Sequence, residues 1–233
     1  MSSMTVGEVL LRVRDQLGES SITTGFWQDN LLHRYIYDAC VEMALDCSVT
    51  QTRTTLFTTV TGTREYSLTT GLFKVMHMTW DTQKVSPIDF TQFTRETSNE
   101  GTSSVVSGAP NYYYIFGQAG LSGIMGFQPI PDKSAPVVAY YIRIPDTTPA
   151  SYTSSTLLEI PWEYGHLIQN YVLWKAWNKE HSAEGSRQSA DNRAMWQDGL
   201  ARVRRMQQER LRGDRFKVVK DVDYYYNTNY GIL

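Results

Sequence analysis

Cysteine and histidine are scarce: two Cys, at 40 and 47, and four His, at 33, 77, 166 and 181, in 233 residues. On a helix, two thiols seven residues apart lie about 10 Å from each other, too far for a disulfide. They are expected to be buried thiols of a protein made in a reducing compartment. None of His33, His77, His166 and His181 has the H-E-x-x-H or C-x-x-C company of a zinc site, so no metal is expected. A G-x-S-x-G nucleophile turn is also missing. The glycines of "GQAGLSG" (117–123) lack the strand-to-helix setting of a phosphate loop and belong to a hairpin turn. No carboxylate pair is set out for acid–base work. Glu159 and Glu163 flank Pro161, where negative charge suits a helix start. An enzyme is therefore not expected, and no cofactor is implied.

Charge of one sign is lacking as well. Lys and Arg number 22 against 24 Asp and Glu, a net charge of −2 with a pI near 6.1. That excludes the overall basic excess of a nucleic-acid binder. No apolar run is long enough to span a bilayer, and no signal-type apolar region follows Met1. A soluble protein is expected, not exported through a cleaved signal and without a membrane partner. Internal repeats and low-complexity tracts are also missing.

What is present is enough apolar residue, 41%, to pack a core, and an excess of aromatics: 15 Tyr and 6 Trp. Tyr and Trp serve interfaces through a rigid face and a polar handle, and Tyr is also a good strand former. "TVGEVLLRVRDQLG" (5–18) places Val6, Val9, Leu10, Val13 and Leu17 on one helical face. Thr5 and Glu8 have capping-box spacing, and Gly18 suits a C-cap. "FWQDNLLHRYIYDACVEMALDC" (26–47) predicts a second helix with a broad stripe from Leu31 to Ala44.

The period then changes. "TRTTLFTTVTGTREYSL" (52–68) predicts a hairpin turning at Gly62. "FKVMHMTW" (73–80) and "VSPIDF" (85–90) read as strands, and "DFTQFTRETS" (89–98) as a short helix. A polar loop ends at Pro110, and three strands follow at 112–116, 124–128 and 137–144. "DTTPASYTSST" (146–156) is a loop. Helix returns at Pro161, in the first turn, through "WEYGHLIQNYVLWKAWNKEH" (162–181), and again over 186–213, with Trp196, Leu200 and Val203 on its apolar side and Gly213 as its stop. The expected fold class is α+β: an antiparallel helical bundle from both chain ends, with an inserted antiparallel β-domain and an extended C-terminal tail. The corresponding domains are 1–50 with 157–212, then 51–156, with the tail at 213–233.

Two features at the C-terminal end ask for a partner. Arg202, Arg204, Arg205, Arg210 and Arg212 crowd the last helix, followed by Arg215, Lys217 and Lys220. Such a run is a solvated face near a helix end, or a basic surface for an acidic partner or DNA, for which Arg202, Arg205, Arg212, Arg215 and Lys217 are the candidates. The segment beyond carries Phe216, Val218, Val219, Tyr224, Tyr225, Tyr226 and Tyr230. A free solvated tail is poor in such residues, so this one packs on its own bundle or docks on another subunit, the latter being favoured.

Several stretches resemble the head-to-tail adaptor (connector) proteins of tailed bacteriophages. They are P-x-x-Y at Pro110–Tyr113, the strand ending in P-x-P at Gln128–Pro131, the paired Tyr140 and Tyr141, and Ile160–Pro161 opening a long helix. Trp27, Leu32, Ile36 and Ala39 form a further matching pattern in the second helix. The likeness runs from about Val6 to Gly213. Its usual Asn in the second helix is replaced, at Tyr37 or Asp38. The resemblance implies a structural virion protein: a homo-oligomeric ring, commonly of twelve subunits, beneath the portal, joining head to tail and extending the DNA channel. Implied partners are the portal protein ring, tail or nozzle proteins, ring neighbours, and genomic DNA in transient, non-specific contact. The implied location is the virion neck, after assembly in the host cytoplasm. On this view the aromatic tail docks on the portal or on a neighbour. The alternatives are another neck or tail-completion protein such as a stopper, and a glycan- or peptide-binding module built on the Tyr-rich sheet.

Overall fold

A computed structural model describes residues 4–19, 26–68, 72–91, 93, 107–118 and 122–228, with side chains for all but 118, 122 and 210–228. The protein is mixed α+β. The chain forms two compact units, one from Met1–Val49 with Thr147–Leu233, the other from Thr50–Asp146.

The first unit is helical. α1 (Val6–Leu17) starts at a complete capping box: Thr5 Oγ1 accepts from the Glu8 N–H at 3.2 Å, and the Glu8 carboxylate accepts from the Thr5 N–H at 2.8 Å. It stops at Gly18, whose φ of 67° is the left-handed cap conformation. α2 (Asp29–Cys47) buries Leu32, Ile36, Ala39, Cys40, Met43, Ala44 and Cys47. A 3₁₀ turn at Trp162–Tyr164, entered from Pro161, leads into α3 (Gly165–Glu180), and His181 ends that helix at φ 56°. Pro161 thus precedes the 3₁₀ turn and lies outside the α-helix. α4 is Ala183–Thr228. The core is shared by all four helices: Val9 and Val13, Ile36 and Met43, Ile168 and Leu173, Trp196 and Val203 belong to one cluster. Polar ties hold them in register. Trp27 Nε1 donates to the Ala176 carbonyl at 3.2 Å, and Trp196 Nε1 donates to Glu42 Oε1 at 3.2 Å. Arg14 is buried, pairing with Glu19 and Asp29 and donating to the Trp27 carbonyl, so the α1–α2 connection is anchored at both ends. Residues 154–157 pack against α1, with Val6 N–H donating to the Thr156 carbonyl at 2.8 Å.

Gly213 does not stop the last helix. α4 runs through it to Thr228, so residues 213–228 are helical, not an extended tail. A helix-interior Gly costs about 1 kcal/mol relative to Ala. The stretches on either side, "QQERLR" and "DRFKVVKD", hold strong helix formers and no Pro, so nothing forces termination. Residues 229–233 lie outside the described ones.

The second unit is a sheet of seven strands in the order β1-β9-β3-β4-β6-β7-β2. These are β1 (Gln51–Thr58), β2 (Glu65–Leu68), β3 (Leu72–Trp80), β4 (Gln83–Pro87), β6 (Tyr112–Gln118), β7 (Ser122–Gln128) and β9 (Pro136–Arg143). β5 (Ser107–Gly108) and β8 (Ile130–Pro131) make a small parallel pair apart from it. Every seam in the large sheet is antiparallel except β4 with β6. The expected 52–68 hairpin does not form. β1 pairs with β9 and β2 with β7, so the two lie at opposite ends of the strand order. Phe57 of β1 nevertheless stacks on Tyr66 of β2, ring centroids 4.6 Å apart, so the sheet curls until its ends meet through side chains. Burial decided this: both rings also contact Phe127 in a core with Met78, Trp80, Met125 and Val137, which a flat two-stranded hairpin could not enclose. Thr59 is fully buried at the turn, its hydroxyl accepting from Trp80 Nε1 at 2.9 Å and from the Ala135 N–H at 3.1 Å.

The stretch 108–145 is likewise not one three-stranded unit. β6 and β7 form the hairpin, while β9 sits between β1 and β3. Of the expected 89–98 helix, Phe90, Thr91 and Phe93 are helical; Gln92 and 94–98 lie outside the described residues.

Candidate assembly surfaces

On β6 the alternation of a strand sends successive tyrosines to opposite faces. Tyr113 enters the core opposite Phe127. Tyr112, Tyr114 and Phe116 share the other face. There Tyr114 is 1% exposed, because Phe93 and Phe90 cover it at centroid distances of 4.3 and 5.4 Å. Its hydroxyl donates to Glu65 Oε1 at 2.6 Å; burial first, and then this bond, raise its pKa well above 10. The ring lies over Gly126, where any Cβ would fall well under 3.0 Å from its Cζ and hydroxyl oxygen. Phe116, tilted against Phe90 at 4.9 Å between ring centroids and registered with Ile124, is 55% exposed. A second outward stripe combines Tyr140 with Arg53, 5.5 Å above its ring, and with His77, at 5.7 Å between rings.

The basic run of α4 is partly neutralised. Arg202 pairs with Asp198 at 2.7 Å, Arg204 with Asp46 at 3.1 Å, and Arg205 donates to the Ala201 carbonyl at 3.5 Å. Positions 212, 215 and 217 are also on α4. At about 100° per residue, 202, 205, 212 and 215 step some 140° around the helix and 217 turns to another side, so the period gathers them on no single face. The helix also carries Phe216, Val218, Val219, Tyr224, Tyr225 and Tyr226; Tyr230 lies outside the described residues.

Sequence patterning missed a groove between α3 and α4. It encloses about 630 Å³ over a floor of Tyr164, Leu167, Gly199 and Val203. Gly199 lets Leu167 approach so closely that a Cβ there would overlap it. Met195 and Met206 close its two ends and are 58% and 46% exposed. The one signal was these two methionines, apolar yet off the Trp196–Leu200–Val203 stripe. Glu163, His166, Asp198 and Arg202 form the rim.

Both thiols are buried. Burial pushes Cys40 up to about 12 and Cys47 to about 11, and both are unpaired. Among the described residues no group of three His, Cys, Asp or Glu is gathered to hold a metal, and no helix is long and apolar enough to cross a membrane.

Such surfaces suit assembly, and comparison with known families gives the context. Residues 4–218 match the SU10 adaptor protein family. The chain belongs to the SU10 adaptor protein family. It is thus a phage structural adaptor, of a kind that works by contact with other head and tail proteins and is not typically enzymatic. That family implies a place in the virion, at its neck. No curated protein matches the chain.

Proposed function

We propose that this adaptor forms a closed ring beneath the portal, joining head to tail and extending the DNA channel. Twelve subunits is the number the family likeness favours. The match of residues 4–218 to the adaptor family carries the proposal. Closure of a ring needs two different complementary surfaces on each subunit. The α3–α4 groove and the distal part of α4 supply candidates. α4 is about 69 Å long at 1.5 Å per residue. Val203 is the last residue of the core cluster among those whose side chains are described, and 204–228 continue about 37 Å further along the helix.

In this scheme the helical unit and the end of α4, with Phe216, Val218, Val219, Tyr224, Tyr225, Tyr226 and Tyr230, meet the portal and ring neighbours. The β-unit, with its exposed Phe116 and Tyr140, meets tail or nozzle proteins. Arg202, Arg205, Arg212, Arg215 and Lys217, spread around α4, meet acidic surfaces of more than one partner or passing genomic DNA. Native mass of the full chain, alone and then mixed with the portal ring of the same virion, tests the proposal. A stoichiometric ring of adaptor on the portal is expected. Absence of any portal association overturns it and favours a stopper or tail-completion role. Deleting Lys220–Leu233 should abolish portal attachment while leaving the fold intact; normal attachment of that variant would refute the tail's assignment.

A further inference from the structure

We infer that the groove between α3 and α4 is the seat for residues 211–225 of α4 from a second copy of this chain. This rests on the ring reading and deepens it by naming the two surfaces that would close the ring. The groove is apolar at its floor and closed at either end by exposed methionines, a side chain suited to adaptable binding surfaces. Met195 and Met206 are eleven residues apart on α4, so the groove follows that helix for about 16 Å.

Four features of α4 and the groove point to this occupant. Positions 211, 215, 218, 222 and 225 of α4 follow a 4-3-4-3 spacing and hold Leu, Arg, Val, Val and Tyr, the seam of a helix that packs on another helix or in a groove. From 211 to 222 the seam is also eleven residues, about 16 Å, matching the groove in length. The same helix that carries the seam forms one wall of the groove. Its course from Met206 onward therefore carries the seam away from its own groove, which leaves the seam free to enter the groove of another copy. Charge also agrees. Over 211–225 four Lys or Arg stand against three Asp, a small positive excess. The groove rim holds Glu163 and Asp198 against Arg202. Groove and seam are different surfaces, so the contact is heterologous and propagates from copy to copy until a ring closes.

Cross-linking of full-length chains tests this. One chain carries Met195→Cys or Met206→Cys, the other Leu211→Cys or Val222→Cys; mixed pairs are oxidised at high concentration without portal. Wild type provides a silent background, because both native thiols are buried with raised pKa. One orientation of seam in groove is expected, giving two of the four mixed pairings strongly and the other two weakly. Separately, Met206→Glu and Val218→Glu, both checked for helix content, should each weaken self-association at least tenfold. No disulfide in any mixed pairing, or self-association unchanged in both Glu variants, overturns the inference. A chain that joins the portal normally yet fails these tests keeps its adaptor role and loses the groove contact. Cross-linking without portal binding does the reverse.

Discussion

Replacing Gly126 by Ala is expected to destabilise the β-unit by about 3 kcal/mol, and the structure says why. The new methyl would enter the space of the Tyr114 ring, which cannot swing aside because Phe93 and Phe90 hold it and Glu65 binds its hydroxyl. Overpacking of this kind costs about 1–3 kcal/mol. Displacing the ring also loses an aromatic contact, about 0.5–1.5 kcal/mol, and a hydrogen bond to a partly exposed carboxylate, about 1 kcal/mol. Against these, Ala recovers roughly 0.5–1 kcal/mol of backbone entropy relative to Gly in a strand. With a urea dependence of about 2 kcal/mol per molar, the unfolding midpoint should fall by about 1.5 M. The decisive control is a double-mutant cycle with Tyr114→Ala, which empties the space the methyl needs. In that background Gly126→Ala should be neutral or slightly stabilising. An equal loss with and without Tyr114 would refute the argument, because the ring would then not be what excludes a side chain at 126.

Three other outcomes follow from particular contacts. Thr59→Val keeps the shape but strips the acceptor from Trp80 Nε1 and the Ala135 N–H; the denaturant midpoint should report a loss of about 2–3 kcal/mol, most of which Thr59→Ser avoids. Burial, opposed by Asp29 and reinforced by Arg14, lowers the His33 pKa from 6.5, so the unfolded chain takes up the proton first as pH falls. The stability this residue permits is complete above 6.5 and declines as pH drops from there through the lower folded value; urea midpoints between about pH 8 and pH 5 should show it, and His33→Gln should flatten that part of the slope. Gly213→Pro should reduce the helical circular-dichroism signal and Gly213→Ala raise it, since α4 passes through this position; a tolerated Pro would place the helix end there after all.

Much of the local structure was legible in residue order. Thr5, Glu8 and Gly18 bound α1 as their spacing predicts, because capping is decided within a single turn by short-range hydrogen bonds. The strands at 73–80, 112–116, 124–128 and 137–144 are strands for similarly local reasons. Their partners were not legible. The turn at Gly62 reads as a hairpin, but Phe57 and Tyr66 lower their free energy further by meeting Phe127 across a curled sheet, a contact between residues some 60–70 positions apart. Gly213 shows the converse: a strong local stop signal worth only about 1 kcal/mol yields to the helix on both sides.

The sequence alone determined the chemical character of the protein. Its helical stripes at Val6–Leu17 and Leu32–Cys47 must be buried, and its β-branched and aromatic stretches between 51 and 143 must pair as strands. Only the tertiary structure decided which surfaces remain to be used. Tyr114 became part of a closed cluster over Gly126, while Phe116, two residues on, stays exposed. Leu167 and Gly199, distant in sequence, set the α3–α4 spacing that leaves a groove between Met195 and Met206. The physical reason is that burial is a property of packed elements, and period within one element fixes which side faces inward but not what it meets.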